Sequence, residues 1–219
     1  MFLNINKMKK LVGVLLLVVG YSAFAQVNPE KAIKQFSNKM QAVKSISATF
    51  SFTLENLQEH ITDTYQGKIL AKDKMFYLDL MGMEVFSDGK TKWQYIKDAN
   101  EVTVSNINKK ENDFLDDPTK LFKDYNKNFK YKYKGIVKVR NKEYYEVDFF
   151  PRDLNLPYSS VKLQFNSKTL EPYMIRYQGK DGNNYIIKIK NFKSNVPIRN
   201  DRFIFDLKKH KGVDVIDMR

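Results

Sequence analysis

A chain of 219 residues with no cysteine but 16 Phe and 13 Tyr carries enough apolar material for one substantial core and must hold it by packing alone. The missing thiol excludes thiolate metal sites and a lipid anchor on an N-terminal cysteine. A formal charge of +13 at pH 7 favours anionic partners, whether headgroups, acidic protein patches or nucleic acid.

The N-terminus runs from a basic start with Lys7, Lys9 and Lys10, through an apolar stretch from Leu11 to Gly20, to the small-residue site Ala23-Phe24-Ala25. That order predicts a secretory signal peptide over residues 1–25, cut before Gln26. The apolar stretch has only about half of the ~20 residues that a membrane-spanning helix needs. Loss of the three lysines lowers the formal charge from +13 to +10 and leaves residues 26–219 as a single domain. Export argues against a nucleic-acid partner, and with no thiol or long heptad a monomer is expected.

Asn28 is placed to cap a helix that begins at Pro29, and Ile33, Phe36, Met40 and Val43 give it one apolar stripe. Ile46, Ala48, Phe50, Phe52 and Leu54 then alternate with Ser47, Thr49, Ser51, Thr53 and Glu55, the period of a half-buried strand. The alternation returns at Val102/Val104, at Val161/Leu163/Phe165 and at Tyr185/Ile187/Ile189, with turn signals at Asp88-Gly89 and Asp181-Gly182. Lys130-Tyr131-Lys132-Tyr133-Lys134 has the make-up of a base-stacking platform. Strict alternation is also the pattern of a strand with one wet face, and the lysines are then its solvated side. Between Ile107 and Phe129 the alternation stops, and Asp117-Pro118 opens a short helical pattern with Leu121, Phe122 and Tyr125 on one side. The result is one large antiparallel sheet with two helices to cover it. Two are few for so much apolar strand surface, which leaves room for an apolar ligand against adaptable side chains such as Met75, Met81 and Met83.

Signatures of chemistry are sparse. His60 and His210 lie far apart, each without a second ligand at metal spacing and each read as an ordinary surface residue. Nucleophile-elbow and phosphate-loop patterns do not occur. Asp116-Asp117, just ahead of Pro118, reads as helix capping before it reads as an acid/base pair. The expectation is a protein without cofactor or metal that is not an enzyme.

Two stretches carry a resemblance. Gly67-Lys68-Ile69-Leu70-Ala71-Lys72 with Phe76-Tyr77-Leu78, followed by Ser87-Asp88-Gly89-Lys90-Thr91-Lys92-Trp93-Gln94-Tyr95, resembles the LolA family of periplasmic lipoprotein carriers. Phe203-Ile204-Phe205 and Gly212-Val213-Asp214-Val215-Ile216-Asp217 are similar to that family's closing F-x-F and G-V-D-V-I-D. The resemblance implies a mainly β (α+β) fold, an incomplete antiparallel β-barrel of about eleven strands whose apolar cavity is lidded by a few helices. It also implies a role in the periplasm, where the protein would accept triacylated lipoproteins from an inner-membrane ATP-driven transporter and deliver them to an outer-membrane acceptor or to the outer membrane itself. The alternatives are a carrier or sensor of another lipid on the same scaffold, a glycolipid or a phospholipid, and an exported enzyme or adhesive domain. On this scaffold Phe50, Phe52, Phe76, Leu78, Leu80, Trp93 and Tyr95 are the expected acyl-chain cavity, with Leu121 and Phe122 facing them from the lid. Lys72, Asp73 and Lys74 occupy the gate, where the family commonly has an arginine after the strand lysine. Aspartate cannot donate hydrogen bonds as a guanidinium does, so weaker closure is expected.

The protein recovered after export is expected to begin at Gln26, which N-terminal sequencing reads directly; retention of residues 1–25 would overturn the signal-peptide assignment.

Overall fold

The computed structural model describes residues 28–107 and 128–219. Helix α1 (Pro29–Ala42) opens as its sequence demands: the Asn28 side chain accepts a hydrogen bond from the Lys31 amide at 3.1 Å. This satisfies one of the amides that every helix start leaves without a carbonyl partner. Its buried stripe is Ala32, Ile33, Phe36, Ser37 and Met40, and the Phe36 ring stacks on Phe165 with centroids 4.6 Å apart. Among the described residues no helix is long and apolar enough to cross a membrane.

The strands are β1 (Ser45–Asn56), β2 (Ile61–Lys72), β3 (Met75–Leu80), β4 (Met83–Ser87), β5 (Thr91–Ile96) and β6 (Glu101–Asn106). They continue as β7 (Phe129–Val139), β8 (Lys142–Pro151), β9 (Tyr158–Asn166), β10 (Pro172–Gly179), β11 (Asn183–Ser194) and β12 (Asp214–Asp217). All twelve form one sheet in the order β12-β6-β5-β4-β3-β2-β1-β11-β10-β9-β8-β7. Two meanders, β1 to β6 and β7 to β11, are thus joined back to back where β11 pairs with β1. The sheet does not close, since β12 and β7 are its two edges. This is the incomplete barrel, with one strand more than expected: β12 adds to β6 in parallel, Val215 beside Val102, while the other pairings are antiparallel.

Paired residues on neighbouring strands share a face, so the register sorts every side chain. One row on the inner face runs Phe192, Ala48, Ile69, Leu78, Val85 from β11 to β4. The serine, threonine and lysine residues between them point outward. The Lys130 to Lys134 segment obeys the same rule, with Tyr131 opposite Phe149 and Tyr133 opposite Val147 on the inner side, and Lys132 opposite Asp148 on the outer.

The glycine at the head of the first resemblance segment has a steric reason. Gly67 sits opposite Phe50, and a Cβ there would lie 2.4 Å from Phe50 Cζ. The ring lies across the glycine, so that one strand's aromatic fills the space the other strand's side chain would occupy. Gly67→Ala is expected to lower stability by about 1–3 kcal/mol, as overpacking does, and the penalty should shrink in a Phe50→Leu background. Urea unfolding of the two single variants and the double variant measures this; equal penalties in both backgrounds would sink the account.

Candidate functional site

Phe50 and Phe52 on β1 and Phe76, Leu78 and Leu80 on β3 all project from the inner face, and each is at most 7% exposed. The register makes them one surface: Phe50 meets Gly67, which meets Leu80, and Ala71 meets Phe76. Phe50 and Phe52 also face Ile189 and Ile187 of β11. Beyond β4 two rows turn polar, with Gln94 and Thr103 continuing the row of Leu78 and Val85, and Lys92 that of Phe76 and Ser87, while the row of Leu80 and Met83 passes through Ile96 to Glu101. The inner face is therefore an apolar floor from β11 to β4 with a mostly polar border at β5 and β6. On such a floor the available interactions are dispersion and water exclusion, neither of which requires a particular ligand geometry.

Trp93 and Tyr95 do not join this surface. Trp93 pairs with Phe86 and Tyr95 with Glu84, and these pair in turn with Tyr77 and Asp79 on β3, the residues that alternate with Phe76, Leu78 and Leu80. Both rings belong to the outer face. There the C-terminal segment packs on Tyr95 and on Phe86, the partner of Trp93: Phe205 lies 5.3 Å from Tyr95 and 5.6 Å from Phe86, ring centre to ring centre. Phe203, fully buried, packs with Leu70 and Tyr77. His210 is no surface bystander. Its ring stacks on Phe205 at 4.2 Å and meets Tyr95 at 4.6 Å. Nδ1 lies 2.9 Å from the Asp206 carbonyl, which can only accept, so this nitrogen carries the proton. His60, by contrast, is exposed in the turn between β1 and β2. Between this segment and β3–β4 lies an outer recess of about 390 Å³. In it the Tyr77 hydroxyl donates to Glu84 at 2.7 Å; burial first, then this bond, holds the phenol above its ordinary range.

The gate positions are turn and clamp residues. Lys72 Nζ donates to the Ile198 carbonyl at 3.3 Å and to Asn200 Oδ1 at 2.9 Å, tying β2 to the C-terminal segment. Asp73 has φ +54°, a left-handed conformation that aspartate tolerates better than arginine does. This is a local reason for the departure from the family's arginine. Lys74 and Asp73 are exposed, and the Lys74 Cβ would lie 3.2 Å from a Cβ at Gly89, so the two hairpin turns touch. Within Ser87-Asp88-Gly89-Lys90, Asp88 Oδ1 accepts from the Lys90 and Thr91 amides at 2.8 Å each, and Gly89 has φ +90°. That motif is a side-chain-stabilised turn. Leu121 and Phe122, the expected lid residues, lie outside the described residues, as does the Asp116-Asp117 pair. The inner face also includes Phe149, Phe165, Tyr177 and Tyr185. Alternation along their strands is visible in the sequence, but they lie outside the resemblance segments, and nothing in the sequence alone joins them to the site.

Because Trp93 is the sole tryptophan, the assignment of faces can be read optically. Brominated acyl chains bound by the protein should quench Trp93 weakly and should quench strongly a tryptophan placed inside by Phe52→Trp in a Trp93→Phe background. Equal quenching of both would show that ligand does not favour the inner face.

The comparisons agree with this architecture. Residues 41–206 match the family described as outer membrane lipoprotein carrier protein LolA. An uncharacterized protein of Methanocaldococcus jannaschii is 27% identical over 202 residues, which are 90% of this chain and 58% of that protein, so the chain spans just over half the length of that relative. The crystal structure of an uncharacterized conserved protein from Thermus thermophilus superposes with a TM-score of 0.56 at 11% identity, covering 86% of this chain and 98% of that one, and shows the same fold. A LolA superfamily protein from Nitrosomonas europaea gives 0.41 at 10% identity, over 80% of this chain and 98% of that one. With its open sheet, its apolar inner face and a family match over most of its length, this chain belongs to the LolA family.

Proposed function

We propose that this chain works in the periplasm as a carrier that shields the acyl chains of triacylated lipoproteins. On this reading it takes them from an inner-membrane ATP-driven transporter and gives them up to an outer-membrane acceptor or to the membrane itself. The observation that carries the reading is the inner apolar floor, continuous across β11, β1, β2, β3 and β4. Carriage needs such a floor, because one acyl chain of roughly sixteen carbons resists entry into water by on the order of 13 kcal/mol, at about 0.8 kcal/mol per CH₂. Several strands must share a load of that size. A floor without fixed hydrogen-bonding points also lets chains of different length settle, and lets them leave when a second apolar environment is offered.

The hairpin after Leu80 is the place to test it. Leu80 ends β3 and pairs across the hairpin with Met83, which also faces inward but is only partly buried against the inner cluster, so the substitution is best placed at Met83, where a polar group keeps a path to water. Met83→Gln should therefore keep the fold, yet reduce capture of a detergent-released triacylated lipoprotein by roughly tenfold, the order of 1.4 kcal/mol. Capture is read by co-elution, beside circular dichroism of the variant and mass spectrometry of lipid extracted from the natively purified protein. Extracts holding only glycolipid or free phospholipid, with no capture of acylated protein by the native chain, would replace the lipoprotein reading with that of another lipid carrier.

A further inference from the structure

Across the middle of the outer face, β1 presents Ser47, Thr49, Ser51 and Thr53, a row of short hydroxyl side chains. Lysines flank it on both sides. Lys68 of β2 pairs with Thr49; Lys188 and Lys193 of β11 pair with Ser51 and Ser47. Lys190 falls at the bulge between Thr49 and Phe50, and its Nζ donates to Gln66 Oε1 at 2.5 Å. All four are exposed. None of them makes an ion pair among the described residues, and Asp79, opposite Lys68, is engaged by Lys97 at 2.9 Å. The flanks differ. Lys162 is paired with Glu146 at 2.7 Å and with Asp148 at 3.6 Å, and Arg176 with Glu55 at 2.9 Å. Positive charge is neutralised on either side of this patch and left open in its centre.

The patch is about 16 Å along β11 and about 10 Å across the strands, close to the screening length of physiological salt, so its charges act together on a partner. We propose that it docks the protein on an anionic phospholipid leaflet. Its composition selects that occupant over an acidic protein. Protein interfaces draw affinity from aromatic and arginine anchors and are depleted in lysine. This patch has lysines around small hydroxyls and neither type of anchor. An ammonium on a flexible stem needs no fixed partner geometry, and a leaflet offers many equivalent anions to it. The inference is independent of what the inner face carries.

The mature protein is sedimented with vesicles of phosphatidylcholine alone and of phosphatidylcholine mixed with phosphatidylglycerol, over a series of salt concentrations. It should bind only the anionic vesicles, and salt should release it. Lys68→Gln, Lys188→Gln, Lys190→Gln and Lys193→Gln together should weaken that binding by roughly tenfold or more, with circular dichroism and apolar-probe binding unchanged. Lys130→Gln, Lys132→Gln and Lys134→Gln, which remove charge from the exposed side of β7, should leave it nearly intact. Equal losses in both variants would reduce the effect to net charge and overturn the site. So would absence of native binding, binding that salt does not weaken, or capture by immobilised polyglutamate without any attachment to vesicles, the last pointing to an acidic protein instead.

Discussion

The constraint on which the rest depends is a mismatch of areas. At ~4.8 Å between strands, a sheet of twelve is about 53 Å across, whereas a 14-residue helix is about 21 Å long and ~10 Å wide with its side chains. The one α-helix among the described residues is smaller than such a surface. The sheet meets part of the demand by packing its inner side chains on one another and on α1 in a single buried cluster, with Phe36 seated on Phe165. A protein under no other demand would close the barrel or shrink the face. That this one does neither is the physical reason to look for a ligand on the inner side.

The outer face meets the same problem differently. At β2 to β5 it too is apolar, through Leu70, Tyr77, Phe86 and Tyr95, and here the chain brings its own cover. Phe203 and Phe205 reach inward while Ile204 between them is 46% exposed, so the F-x-F motif is a period-two clamp. Asn100 then anchors the end of the chain: its side-chain amide donates to the Gly212 carbonyl at 3.0 Å, its Oδ1 accepts from the Tyr95 hydroxyl at 3.0 Å, and its main-chain carbonyl accepts from the Asp214 amide at 3.0 Å. β12 can therefore lie against β6. The two apolar faces of one sheet thus differ in their cover: the outer one takes the chain's own C-terminal segment, while the inner side chains pack on one another and on α1.

The same division decides how far the fold and the site are legible in the residues. β1 is legible because Ser and Thr alternate with Ile, Ala, Phe and Leu without a break, and α1 because Asn28 and Pro29 announce it. Phe50, Phe52, Phe76, Leu78 and Leu80 can be assigned to one face because each run keeps a single phase. Trp93 and Tyr95 cannot, because hydrophobicity marks burial and does not say on which side. The information is present in the turns. Leu80 pairs with Met83, and Ser87 with Lys92, so following phase through the two hairpins puts Lys92 inside and Trp93 outside. A shift of one residue reverses every assignment, and a polar residue on the apolar side is the opposite of what composition suggests. The clamp of Phe203 and Phe205, more than a hundred residues downstream, makes the outer face apolar at Leu70, Tyr77, Phe86 and Tyr95, around the strand that carries Trp93.

If the inner face carries acyl chains and the outer patch docks on a leaflet, as proposed, the two faces operate on different scales of energy, and a carrier would need both. Burial of an acyl chain is worth on the order of 13 kcal/mol, enough to keep cargo out of water for the whole transit, but it acts only on contact and gives no guidance. Open lysines near an anionic surface are worth about 1 kcal/mol each, so four give a dissociation constant on the order of millimolar. Such an attachment concentrates the protein at a membrane and dissolves within the time of an encounter. Had the outer patch been apolar, it would have competed with the inner floor for cargo and held the carrier where it should leave. Alternation along β1, hydrophobic inward and hydroxyl outward, keeps the two proposed roles on opposite sides of a single strand.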